Sequence, residues 1–115
     1  AANGVKLMKP MPELDALLRR AQVEGASAFV LQRGEASRGD VLIKVANMAG
    51  IAHAYVPRTS MEGDRVFVDL AGQGVGPDEA DVDAYLVRAK ARDRDLWIIE
   101  IEDREGRHFL TEPDE

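Results

Sequence analysis

The chain has 115 residues, no cysteine and a formal net charge of −6. That length supports one domain able to bury roughly two-thirds of the surface its unfolded form exposes, and the missing cysteines exclude disulfides, thiolate metal sites and thiol chemistry. Residues 1–60 carry eight Lys/Arg against five Asp/Glu, and residues 61–115 carry seven against sixteen, an acid excess that opposes the phosphate neutralisation on which nucleic-acid binding depends.

Nucleic acid is therefore not an expected partner. No run of about 18 apolar residues occurs, so no membrane-crossing helix is expected. The first residues, Ala-Ala-Asn-Gly, lack an initiating methionine and the apolar core of a signal peptide. They read as a trimmed end, and with the absent cysteines they favour a cytoplasmic protein.

Residues 12–24 place Leu14, Leu17, Leu18 and Ala21 at the i, i+3, i+4, i+7 spacing of a helix with one buried stripe. Pro12 suits its first turn, Glu13 and Asp15 its positive end, and Gly25 its stop. Residues 1–10 are expected to be loosely ordered. SAFVLQR (27–33) reads as a strand and RGEASRGD (33–40) as a polar turn. DVLIKVAN (40–47) sets Val41, Ile43 and Val45 opposite Leu42, Lys44 and Ala46, the alternation of a second strand.

IAHAYVP (51–57) and RVFVDL (65–70) follow as third and fourth strands. The spacers leave no room for crossover helices, so these four strands are expected to form an antiparallel meander. AGQGVG (71–76) reads as a flexible connector to a second helix over 77–93. That helix carries Val82, Tyr85, Leu86 and Ala89 on one stripe, acids in its first turns and Arg88, Lys90 and Arg92 in its last.

LWIIEIED (96–103) reads as a fifth strand, Glu105-Gly106 as a turn, and RHFL (107–110) as a sixth strand in the longer version of the sheet. The tail, 111–115, reads as loosely ordered. The expectation is one α+β domain over 1–115, order α-β-β-β-β-α-β(-β), with an antiparallel sheet of five or six strands and two helices against one face.

The familiar chemical constellations are missing. GQGVG lies between a strand and a helix, as a dinucleotide turn does, but the helix opens with Asp78, Glu79 and Asp81, which repel phosphate, and no parallel βαβ unit is expected. His53 and His108 fall on different segments without metal-ligand spacing; the first reads as a half-buried strand residue, the second as a solvent-facing turn residue. Ser27, Ser37 and Ser60 lack the context of an activated nucleophile. No catalytic residue, metal ligand or cofactor is assigned.

The stretch DLWIIEIEDREGR (95–107) is the most informative. Strand alternation puts Glu100 and Glu102 on one face, roughly 6–7 Å apart by strand rise, and Trp97, Ile99, Ile101 and Asp103 on the other. Paired carboxylates permit metal-assisted chemistry, but cross-strand charge pairing is the plainer account. The two glutamates are expected to emerge into water near the strand's exit, balanced by Arg104 and Arg107, and Trp97 to pack in the core.

As a string, Asp95-Leu96-Trp97-Ile98-Ile99-Glu100-Ile101-Glu102-Asp103-Arg104-Glu105-Gly106-Arg107 resembles the C-terminal signature of an uncharacterised bacterial family, domain of unknown function 1491. The similarity extends upstream through Leu18-Arg19-Arg20, Val30-Leu31-x-Arg33-Gly34, Gly39-Asp40-Val41-Leu42-Ile43 and Arg65-Val66-Phe67, and so covers most of the chain. Arg94 stands where the family more often has proline, and Phe67 where tryptophan is common.

The resemblance implies a compact bacterial intracellular protein and carries no activity. If its signature does more than fold, Trp97, Glu100, Glu102, Asp103, Arg104 and Arg107 are the candidate interaction residues. The expected function is that of a soluble, non-enzymatic interaction or accessory domain binding an unknown protein or a small anionic ligand. The alternative is a divalent-metal-dependent hydrolase or nuclease using Glu100, Glu102 and Asp103. Homo-oligomerisation through an exposed sheet edge is a third reading.

Overall fold

The structure, a computed structural model, describes residues 10–35, 40–59, 61–63 and 65–110. The expectations for residues 1–9, 36–39 and 111–115 lie outside that set. Two helices, α1 (Pro10–Val23) and α2 (Glu79–Arg92), accompany five strands: β1 (Ser27–Gln32), β2 (Val41–Ala46), β3 (Ala52–Thr59), β4 (Arg65–Asp69) and β5 (Trp97–Glu102). No described helix is long and apolar enough to cross a membrane.

The sheet is mixed, which corrects the all-antiparallel expectation. Its order is β1-β5-β2-β3-β4. Strands β2, β3 and β4 do form an antiparallel meander, but β1 lies outside it and pairs antiparallel with β5, which runs parallel to β2 from Val41 opposite Trp97 to Ala46 opposite Glu102. The path of α2 explains the direction. Its start is tied to the far end of β2, where the Glu79 amide donates to the Gly50 carbonyl at 3.0 Å and the Ala52 amide to the Pro77 carbonyl at 2.9 Å. The helix carries the chain back to the near end, where the Trp97 amide donates to the Asp40 carbonyl at 3.2 Å. A strand that begins there must run parallel to β2.

The helices also cover both faces, not one. Leu14, Leu17 and Ala21 of α1 pack with Val41, Ile43, Val45, Trp97, Ile99 and Ile101. Val82, Leu86 and Ala89 of α2 pack with Leu42, Ala46, Ala52, Ala54 and Ile98. All six residues of β2 are buried, as are Trp97, Ile98, Ile99 and Ile101 of β5. Burial on both faces is what near-continuous apolar strands require, and each fully buried Leu or Ile contributes about 1.5–3 kcal/mol.

AGQGVG is an ordered connector. Leu70–Gln73 forms a 3-10 turn capped by Asp69, whose Oδ1 accepts from the Ala71 amide at 2.8 Å, and Gly74 closes it at φ 88°. The expected sixth strand does not form. Residues 103–110 instead fold back across the α1 side, with Phe109 at φ 60°, its carbonyl accepting from Arg20 Nη2 at 2.7 Å, and Leu110 buried beneath.

Gly34 lies flat on β5. A Cβ there would overlap the Asp95 carbonyl oxygen and stand 2.7 Å from Cδ1 of Trp97, so only glycine lets the chain leaving β1 pass over that ring.

Candidate functional site

The six interaction candidates separate into three environments. Trp97 is core: it is 3% exposed, its Nε1 donates to the Glu35 carbonyl at 3.2 Å, and the Arg33 guanidinium sits over its ring at 5.2 Å. It is covered rather than presented.

Glu100 faces α2. It stands directly opposite Lys44 across the β2–β5 pair, and its side chain is only 16% exposed. Lys44 Nζ lies 2.6 Å from Asp83, 2.8 Å from Glu79 and 3.4 Å from Glu100. Burial disfavours the charged amine, but hydrogen bonds to Asp83 and Glu79 with the Glu100 charge more than offset it, and the lysine pKa is raised above its ordinary value. Burial likewise pushes the Glu100 carboxyl up, against the attraction of Lys44. The glutamate is thus balanced by a buried ammonium from the neighbouring strand, not by Arg104 or Arg107 in water. Cross-strand pairing is what the structure has. Its cation was hidden because Lys44 is the lone charge in VLIKVA, which was the available signal.

Asp103 lies on the opposite side and is 5% exposed. It accepts from Arg107 through the backbone amide at 2.8 Å, Nε at 3.0 Å and Nη2 at 2.9 Å. Those bonds, the side-chain ones first, hold its carboxyl below the usual range. Arg107 also donates to the Glu24 carbonyl at 3.1 Å and covers the Phe109 ring at 5.1 Å, so it pins the turn to the end of α1.

Glu102, Asp103, Arg104 and Arg107 come together as sequence proximity suggested. With Gly25, Ser27, Met48 and Glu105 they line an open cleft of about 470 Å³ at the carboxyl ends of the parallel strands β2 and β5. That is where open α/β sheets commonly place ligands. Among the described residues, the side chains of Glu102 and Arg104 make no hydrogen bond or ion pair, whereas Asp103 and Arg107 are fixed to each other. Met48, on the same rim, is 53% exposed and held at φ 65°. The Asn47 carboxamide supports that turn by accepting from the Ala49 amide at 2.8 Å and the Ile51 amide at 3.1 Å.

One cluster was not foreseen. His53, Tyr55 and Asp69 share the part of the α1 face lying on β3 and β4, and His108 packs edge-on to the Tyr55 ring at 5.2 Å. His108 is therefore half-buried, not solvent-facing, while His53 is half-buried as expected. His53 Nδ1 and Asp69 Oδ2 are 2.8 Å apart, which makes Nδ1 the donor because a carboxylate only accepts. His108 Nδ1 accepts from the Leu110 amide at 2.9 Å, so its proton sits on Nε2. Burial lowers the His108 pKa. Burial and the Asp69 charge push Tyr55 up to about 12.

The two imidazoles thus hold opposite tautomers and do not both offer an Nε2 lone pair to a metal. Among the described residues no group of three or more His, Asp or Glu is arranged to hold a metal ion. Glu100 and Glu102 face α2 while Asp103 faces α1, so the three carboxylates of the hydrolase alternative do not converge, and the place a cation would take beside Glu100 is filled by Lys44.

The fold and cleft define a class: a small α+β scaffold, helix-covered on both faces, with a polar cleft at its strand ends. The chain belongs to the family described as "Protein of unknown function (DUF1491)", which matches residues 12–111. It is similar to a DUF1491 family protein of Caulobacter crescentus CB15 known from a crystal structure, at 42% identity and TM-score 0.80 over 95% of this chain and 100% of that one. An NMR structure of a DUF1491 family protein from the same organism matches at 44% identity and TM-score 0.71, covering 88% and 90%. The solution structure of protein Atu0922 from A. tumefaciens matches at 26% identity and TM-score 0.71, covering 94% and 96%. No curated protein matches the chain.

Proposed function

We propose that this protein is a soluble cytoplasmic accessory domain that docks a protein segment across the strand-end cleft and performs no chemistry of its own. The observation that carries this reading is the contrast inside the cleft. Asp103 and Arg107 are locked together, while Glu102 and Arg104 beside them are uncommitted on a fixed frame. Preorganised charges of both signs around an exposed Met48 suit a polypeptide that offers a complementary acid–base pair and one apolar side chain. A small anion is the poorer ligand, since Glu102, Asp103 and Glu105 outnumber the two arginines.

The test is copurification from the native cell with the unchanged chain and a Glu102→Ala/Arg104→Ala variant, folding being checked by circular dichroism. A partner retained by the first and lost by the second is the expected result. Equal retention would dismiss the cleft. Thermal denaturation with Mg²⁺, Mn²⁺ or Zn²⁺ separates the hydrolase reading, because a ligand of the folded state must raise the midpoint. No shift is expected. A shift abolished by Glu100→Ala/Glu102→Ala would favour metal chemistry instead.

A further inference from the structure

The two edges of the sheet are guarded unequally. Edge strands with free backbone groups are commonly protected by charges, proline or short length. β4 carries Arg65 and Asp69 at its ends. β1, Ser-Ala-Phe-Val-Leu-Gln, has no charge, and three consecutive large apolar side chains stand open on it: Phe29 is 46% exposed, Val30 41% and Leu31 42%.

We propose that β1 pairs antiparallel with β1 of a second copy of this chain across a two-fold axis. Two features name a second copy rather than another protein. At a net charge of −6, copies repel one another overall, and an uncharged strand adds nothing to that repulsion. The strand is also flanked by opposite charges: Glu24 precedes it, its side chain 57% exposed and 3.5 Å from Arg107 Nη1 of the same chain, and the exposed Arg33, whose guanidinium lies over the Trp97 ring at 5.2 Å, follows it. An antiparallel copy brings Glu24 of each chain toward Arg33 of the other, twice by symmetry, while the apolar residues meet in the middle. This inference is independent of the cleft reading.

The seam is short. Six residues per chain cover well under the roughly 800 Å² per partner of a standard interface, so the dimer is weak and forms between micromolar and millimolar concentration. Sedimentation velocity and light scattering over that range should show the mass rising from 12.6 kDa toward double. Val30→Lys, at an exposed position, should hold the chain monomeric throughout. Glu24→Arg and Arg33→Glu should each weaken association about three- to tenfold through two like-charge contacts, and the double reversal should restore it. A chain that stays monomeric at millimolar concentration overturns the proposal. So does association untouched by Val30→Lys, or single reversals that the double variant fails to rescue.

Discussion

Lys44 and Arg107 each neutralise a carboxylate of the β5 segment, but from opposite kinds of place. Lys44 is 5% exposed between sheet and helix and is shared by Glu79, Asp83 and Glu100. Arg107 works from the rim, its side chain 39% exposed, and serves chiefly Asp103. The buried cation joins three elements, and removing it leaves Glu100, 16% exposed, without its counter-charge, while Glu79 and Asp83 still reach water at 31% and 54% exposure. The rim cation fixes a turn and leaves its neighbours Glu102 and Arg104 at liberty. One strand thus supplies both an internal clamp and a presentable edge.

The sharpest way to break this contrast is Lys44→Met. It should cost about 3 kcal/mol of folding free energy, read by chemical denaturation, and less than 1 kcal/mol would mean that the acids re-solvate freely. Asp103→Asn should cost about 1–2 kcal/mol, because charge-assisted bonds from Arg107 are weakened without a change of shape.

The pH profile should separate the two clusters. Lys44 has a raised folded pKa, so its contribution is complete below the ordinary lysine value near about 10.4 and is lost as pH rises through the folded one. Asp103 has a lowered folded pKa, so its contribution is complete above the ordinary aspartate value near about 3.9 and is lost as pH falls through the folded one. Melting midpoints measured across pH should therefore show an alkaline limb reduced in Lys44→Met and an acid limb reduced in Asp103→Asn. Tyr55, raised to about 12, adds to the alkaline limb in both. At the small end, Arg104→Ala should change stability by less than about 0.5 kcal/mol while abolishing partner retention.

Helix periodicity and end charges made α1 and α2 legible, because each rests on local spacing: Leu14, Leu17 and Ala21 are buried in one, and Val82, Leu86 and Ala89 in the other. Alternation located the strands. It could not supply their order, since a strand records which residues share a face and not which strand lies beside it. The eight residues between β1 and β2 looked like a hairpin spacer, yet β5 occupies the gap. A signal was present in the near-continuous apolar runs VLI and WII, which fit strands covered on both sides better than a one-faced sheet.

The Lys44 cluster escaped notice because its partners lie 35 to 56 positions away and on another element. The histidine cluster escaped because the turn that brings His108 back to Tyr55 depends on Arg20 reaching the Phe109 carbonyl, a contact 89 positions apart. The grouping of residues 102–107 was visible from adjacency and the packing of Trp97 in the core was expected, while the withdrawal of Glu100 to α2 depended on topology.

The place of β5 has a consequence for how the protein is made. The middle of the sheet is contributed by residues 97–102, so β1 and β2 emerge from the ribosome with the place that β5 takes between them still vacant. The sheet cannot close until residues 97–102 have been made, and until then the edges of β1 and β2 that β5 joins stay open.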